Sequence, residues 1–335
     1  MKANQNGVIR AFGEWESQEL LMLSLPHAKS DWAPYLSQIT KSYVNFANAV
    51  CKYQNLLLIA PDECYFEPFK HIKNARFFKC PTNDTWIRDY GAIDVLGENG
   101  AFSYDFGFNA WGGKFESGLD DNVNAALFNT STLQGKLKRV PFVLEGGSVE
   151  FNGRGVLLTT SKCLLNENRA HSDKNALELK LKELFNLERV IWLNNGEIIG
   201  DDTDSHIDTL ARFVDENTIV YAACDDESDP HFLPLKAMKN ELENSGFNLA
   251  PLFLPRPVEF QGRRLGATYC NFVFINGALI MPTYGDKKAD ERAFGTLKEL
   301  VKDRDIIGVD ASVFIRQNGS LHCSCQNRFK AQRMI

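Results

Sequence analysis

A chain of 335 residues is long enough for two domains, and its 44% apolar content can fill a sizeable core. The formal net charge of −6, without a basic stripe, argues against a nucleic-acid partner and suits a small cationic ligand. Apolar runs such as "LLLIA" are far shorter than the ~18 residues of a membrane helix, and "MKANQNGVIR" has no apolar leader core, so a soluble, cytoplasmic protein with no membrane partner is expected.

No proline-rich, Gly/Ser-rich or long like-charge stretch divides the chain, so residues 1–335 are read as one domain. From the N-terminus onward, five polar clusters each follow a short apolar run. They are "FFKCPTNDTWIRDYGAI", "FVLEGGSVEF", "VIWLNNGEIIGDDTDSHIDTLARF", "LFLPRPVEFQGRRLGATYCNFVF" and "IIGVDASVFIRQNGSLHCSC". Two segments, "ALELKLKELFNLERVIWLNN" and "RAFGTLKELVKDRDIIGVDA", share a helical pattern followed by a short apolar strand. In register, Lys182-Glu183-Leu184 falls on Lys298-Glu299-Leu300, and the same offset of 116 carries Ile191 onto Ile307 and His206 onto His322. Upstream, "GVLLTTSKCLLNENR" and "GALIMPTYGDKKADER" also correspond, with an indel of several residues. A ββαβ-type unit repeated five times around an axis would aim all five clusters at one centre. An ordinary open α/β sheet is the alternative.

Eight cysteines, at 51, 64, 80, 163, 224, 270, 323 and 325, form no C-x-x-C pair and no zinc-like spacing, which indicates free thiols in a reducing compartment. Cys323 and Cys325 stand one residue apart beside His322. A nucleophilic thiolate needs an acid/base partner and a group that positions the substrate. Among six histidines, His206 lies amid Asp201, Asp202, Asp204 and Asp208. On a strand, His206 and Asp208 would face the same side. Each feature also has a plain structural explanation. His206 alone fits a solvated loop, Trp86 and Asp89 fit an aromatic packed beside a turn, and "LEGGS" fits a tight turn whose glycines supply positive φ.

Together, "NDTWIRDYGAI", "LEGGSVEFNGRGVLLTT", "DDTDSHIDTLARF" and "NGSLHCSCQN", with the opening "GEWESQELLMLSLPH", resemble the agmatine deiminases of the bacterial-type peptidylarginine deiminase family. The resemblance covers about residues 13 to 328. It implies a five-fold pseudosymmetric α/β propeller, a central Cys/His/Glu/Asp site, no metal or cofactor, and a homodimer. Residue by residue, Cys323 resembles the nucleophile, His206 the general acid/base and Glu145 the carboxylate that orients it. Asp89 and Asp208 resemble the pair that grips a guanidinium, with Trp86 packed against the substrate. Cys325 is expected to be a structural thiol and His322 a bystander.

A guanidinium carbon is a poor electrophile, but two carboxylates can fix its plane and leave one face open to sulfur. Three nearby carboxylates should keep the thiol at or above its usual ~8.5 until the cationic substrate arrives. For the far amine of agmatine, Asp202 is the candidate contact, while Arg263-Arg264 would serve a substrate with a carboxylate. Other readings are a peptidylarginine or other guanidine deiminase, a guanidinium-transfer enzyme, a papain-type hydrolase, a noncatalytic ligand-binding propeller, and a metal site built on His322, Cys323 and Cys325.

Overall fold

The computed structural model describes residues 2–169, 171 and 173–330, and in them one short pattern recurs. The N-terminal strands are β1 (Val8–Ala11), β2 (Gln18–Ser24), β3 (Asn55–Ala60) and β4 (Ala75–Lys79), with the helix Leu36–Val50 between β2 and β3. Next come β5 (Ile93–Gly97), β6 (Gly100–Gly107) and β7 (Leu137–Val143), then β8 (Glu150–Phe151), β9 (Val156–Thr160) and β10 (Arg189–Leu193). After β11 (Ala211–Phe213), β12 (Thr218–Ala223) and β13 (Asn248–Phe253) stands a small hairpin, β14 (Glu259–Phe260) with β15 (Arg263–Arg264). The chain finishes with β16 (Val273–Ile275), β17 (Ala278–Thr283), β18 (Asp305–Asp310) and β19 (Cys325–Phe329).

Four units, β5–β6–β7, β8–β9–β10, β11–β12–β13 and β16–β17–β18, pair first strand to second antiparallel and second to third parallel. The fifth is assembled from both chain ends: β19 lies antiparallel to β2, and β2 parallel to β3. A parallel step requires a crossover, which is what each unit's helix provides. The helices also join the units. Lys287–Leu300 packs on β13, Phe232–Glu243 on β10, Lys174–Phe185 on β1, and Leu36–Val50 on β18. This is the ββαβ propeller that the five clusters predict, closed by its own C-terminal strand.

The two segments read as repeats occupy equivalent positions. Helices Lys174–Phe185 and Lys287–Leu300 precede the parallel third strands β10 and β18, with Asp173 and Asp286 accepting N-terminal amides as caps. The indel falls between β9 and its helix, where Ser161–Leu164 and Glu167–Arg169 form two extra turns. Apolar runs on β2, β3, β12 and β17 are buried nearly throughout, as strands covered on both faces require. Several first strands differ: Asp94, Glu150, Arg212, Asn327 and Arg328 are buried charged or polar residues. The axis is therefore polar, and most of the apolar core lies further out between sheets and helices. Among the described residues no helix is long and apolar enough to cross a membrane.

Two local expectations change. His206 and Asp208 are not on a strand: His206 caps a 3-10 turn, Ile207–Thr209, so a two-residue alternation does not apply. Gly146 and Gly147 do not have positive φ; they are needed for space. A Cβ on Gly146 would sit 2.1 Å from the Arg88 carbonyl oxygen, which brings the "EGG" turn directly against the turn Ile87–Tyr90.

Candidate active site

Each unit's first strand is preceded by a segment bearing one or more polar groups of the centre. Asp89 comes before β5, Glu145 before β8, His206 and Asp208 before β11, Asn271 before β16, and Cys323 before β19. Side-chain bonds between neighbours fix these loops. Arg88 donates from Nε to the His322 carbonyl at 3.3 Å and from Nη2 to Asn327 Oδ1 at 2.7 Å, tying the first motif to the last. Thr160 Oγ1 donates to the Ser205 carbonyl and Thr268 Oγ1 to the Thr209 carbonyl.

The sequence-selected groups converge. A Cβ added to Gly147 would lie 2.6 Å from His206 Nδ1, 2.8 Å from Asp89 Oδ1 and 3.2 Å from Asp208 Oδ2, so these atoms border one small space. Cys323 Sγ stands 3.6 Å from Asp208 Oδ2. His206 Nε2 is 3.7 Å from Glu145 Oε2, and Nδ1 is 3.6 Å from Asp89 Oδ1. Asp89 accepts from the Gly147 amide at 2.9 Å and from Trp111 Nε1 at 3.0 Å. Among buried side-chain polar atoms, both His206 nitrogens and Asp208 Oδ1 have no protein hydrogen-bond partner. Such atoms are uncommon in a native core and call for a water, a ligand or a catalytic role.

Electrostatics separates the roles. Burial pushes the Cys323 thiol up, and Asp208 and Asp89 push it further, well above its ordinary value. Burial also lifts Asp89 to about 6: His206 pulls it down, while Asp208 and Glu145 raise it. For His206 burial acts downward, but the pull of Asp89, followed by Cys163 and Glu145, wins and keeps the imidazole protonated well above its usual range. Glu145 and Asp208 both end below the carboxylate norm despite burial: Glu145 through His206 and Arg169, Asp208 chiefly through His322. The resting centre thus pairs a neutral thiol with a charged acid.

Trp86 and Asp202 line the same cleft as Asp89 and Cys323, together with Asp31, Asp84, Trp111 and Phe115. Trp86 packs against Trp32, and its ring lies on Gly319, where a Cβ would come within 2.3 Å. That accounts for the glycine opening "GSLHCSCQN". Asp202 is not free: Lys114 Nζ lies 3.1 Å from its Oδ1. Asp84 is more deeply buried, with its carboxyl pushed up to about 6 by desolvation. Arg263 and Arg264 do not reach the cleft. Arg263 donates to the Arg316 carbonyl and Arg264 to Asp229.

His322 is no bystander. Its Nδ1 lies 2.7 Å from Asp208 Oδ2 and its Nε2 2.6 Å from Glu14 Oε2, and Glu14 pairs with Arg212 at 2.9 Å. The histidine holds one Asp208 oxygen in place, while the other, Oδ1, has no protein partner. Cys325, on β19, is fully buried against the His322 carbonyl and Arg88, its thiol pushed up to about 12 by desolvation, as suits a structural thiol. The metal reading on His322, Cys323 and Cys325 finds no support, since His322 is committed to two carboxylates.

Sequence reading missed Cys163 and Arg169. Both lie in the indel, which gave a signal without a role. Cys163 Sγ is 4.0 Å from Glu145 Oε2, and Arg169 Nε donates to Glu145 Oε1 at 3.0 Å while its Nη1 meets Asp204. The extra turns of this one unit therefore support the His206–Glu145 pair from behind.

Residues 10–328 match the family of Porphyromonas-type peptidyl-arginine deiminases. The chain belongs to that family. Within it, a solved C. jejuni agmatine deiminase, a cysteine-to-serine variant with substrate bound, is 57% identical over 97% of both chains with a TM-score of 0.95. The agmatine deiminase of Pseudomonas aeruginosa is 29% identical over 94% of both sequences. A dimethylarginine dimethylaminohydrolase, 15% identical with a TM-score of 0.51 over 92% of this chain and 99% of that one, shares the fold of this deiminase family.

Proposed function

We propose that this protein is an agmatine deiminase, a C–N hydrolase that converts agmatine to N-carbamoylputrescine and ammonia. Family membership and the 57% identity to the C. jejuni agmatine deiminase support this activity. The observation that carries the choice of substrate is the cleft above Cys323. Asp31, Asp84 and Asp202 line it, and no Lys or Arg does among the described residues. A dication with a guanidinium and a distal amine suits that lining. The carboxylate of free arginine would face these acids.

In this reading the guanidinium is gripped by Asp89 and the free Oδ1 of Asp208, with Trp86 and Trp111 flanking it. Its charge lowers the pKa of the Cys323 thiol, whose proton departs to solvent. Sulfur bonds to the central carbon; His206, already protonated, gives its proton to the leaving nitrogen as that C–N bond breaks. Ammonia leaves and a thiouronium remains. Water then adds to the same carbon as His206 takes one of its protons. The C–S bond breaks, thiolate returns, and the remaining hydroxyl proton is lost to solvent to give the ureido product. Glu145 holds His206 protonated in the first half-reaction.

Asp84 is the preferred amine contact over Asp202, whose charge Lys114 already offsets. The free state of all eight cysteines supports a reducing, cytoplasmic setting. Ammonia release measured side by side with agmatine, arginine and a peptidyl-arginine tests the assignment. Turnover of agmatine alone is expected, and faster turnover of either other guanidine would overturn it.

A further inference from the structure

The fourth polar cluster, "LFLPRPVEFQGRRLGATYCNFVF", contributes one side chain to the centre that the reaction described above does not use: Asn271, fully buried just before β16. Its amide has a full set of partners. Oδ1 accepts the His322 amide at 2.9 Å and the Cys323 amide at 3.3 Å. Nδ2 donates to the Asp208 backbone carbonyl at 3.3 Å and to Cys323 Sγ at 3.2 Å. Three of these partners are backbone groups whose polarity is fixed. Flipping the amide would set Nδ2 against two N–H groups and Oδ1 against a carbonyl, so the orientation is determined, and one N–H is aimed at the sulfur.

Oδ1 lies 3.4 Å from the same sulfur. One amide therefore offers Cys323 an acceptor for S–H and a donor for S⁻. No other side-chain N–H donor contacts the sulfur among the described residues; Asp208, its other side-chain neighbour, repels a thiolate.

We propose that Asn271 is a catalytic residue that carries the charge of the Cys323 sulfur. In the resting thiol the S–H has Asn271 Oδ1 and Asp208 Oδ2 within reach as acceptors. When the substrate drives that proton to solvent, the Nδ2–H donates to the thiolate. It does so again when the C–S bond breaks and thiolate leaves. The same side chain joins three units at the centre, bonding Asp208 of one and His322 and Cys323 of another, so the donor is held still through both steps. A single fixed donor on a developing anion contributes roughly 10- to 100-fold in rate.

The proposal rests on Cys323 being the nucleophile, and its test does not need turnover. Asn271→Asp keeps the acceptor for both amides and removes the donor; Asn271→Ser is the second variant. The pH dependence of Cys323 alkylation by iodoacetamide, without substrate, is expected to shift upward by about one unit in both, with kcat for agmatine down about 10- to 100-fold. In a Cys323→Ala background, where no sulfur remains, Asn271→Ser should change agmatine binding by less than about threefold. An unmoved alkylation profile overturns the proposal, as does loss of binding in the Cys323→Ala background. Failure of both single variants to fold assigns Asn271 a purely structural part and overturns it equally. Wild-type protein inactive on agmatine would instead remove the reaction reading and leave the thiol measurement intact.

Discussion

Gly147→Ala tests the geometry of the centre with a single methyl group. Gly147 lies outside the positive-φ region, so alanine adds no backbone strain. Its Cβ would meet His206 Nδ1 at 2.6 Å and Asp89 Oδ1 at 2.8 Å, where ordinary contact begins near 3.4 Å. One or both side chains must retreat by roughly 0.8 Å, and a misplacement on the order of 1 Å costs about 100-fold in rate. That is about 2.7 kcal/mol of lost transition-state stabilisation. Overpacking of a core costs only about 1–3 kcal/mol of stability, so the protein should stay folded with a Tm lower by a few degrees. Gly118→Ala, where nothing lies within 4 Å and φ is not positive, is the matched control. The assay is initial-rate ammonia release from agmatine, with thermal melts of both variants. If Gly147→Ala keeps kcat/KM within about threefold of wild type while folded, His206, Asp89 and Asp208 do not enclose the guanidinium as described.

Cys323→Ala should abolish ammonia release, whereas Cys325→Ala should keep it within about threefold; equal losses would remove Cys323 from its role. The free-enzyme alkylation profile of Cys323 should have its midpoint above 9, because burial, Asp208 and Asp89 all raise the thiol; a midpoint below 7 would contradict ionisation driven by substrate. With Asp89 lifted to about 6 by burial, the carboxylate proposed to bind the guanidinium is lost as pH falls through that value. kcat/KM should then drop by roughly tenfold per unit below it, and a flat profile down to pH 5 would refute this. Arg169→Met leaves the buried Glu145 without its guanidinium partner, a change of about 3–5 kcal/mol for a broken buried pair. A clear fall in Tm together with at least tenfold lower activity is expected, and an unchanged melt would show that Arg169 is dispensable.

Much of the site is legible in the sequence because its residues sit in short contiguous motifs. "NDTWIRDYG", "LEGGS", "DDTDSHID" and "GSLHCSCQN" each carry a group whose chemistry shows in its own type. The offset that aligns His206 with His322 also has a structural counterpart, since both precede the first strands of their units. What stayed hidden depends on contacts between units. Asn271, Cys163, Arg169, Asp31 and Asp84 are ordinary residues in their local sequence. They gain a role only because loops from distant parts of the chain meet at one axis.

His322 shows the limit most clearly. Its neighbour Cys323 identifies the motif, yet nothing local says that its ring is held between Asp208, 114 positions away in the chain, and Glu14, 308 positions away. The glycines of "LEGGS" teach the same lesson: they read as a turn, but the carbonyl of Arg88 and the ring of His206 are what exclude a Cβ. Periodicity and residue type are local properties, so the repeating unit and the family can be read along the chain, together with the candidate nucleophile, base and carboxylates. Which carboxylate is held charged, which thiol faces the cleft and which amide faces the sulfur are settled by contacts made in the folded ring. Charge and hydrogen-bond geometry depend on distances across the ring, and the closure of β19 onto β2 sets those distances.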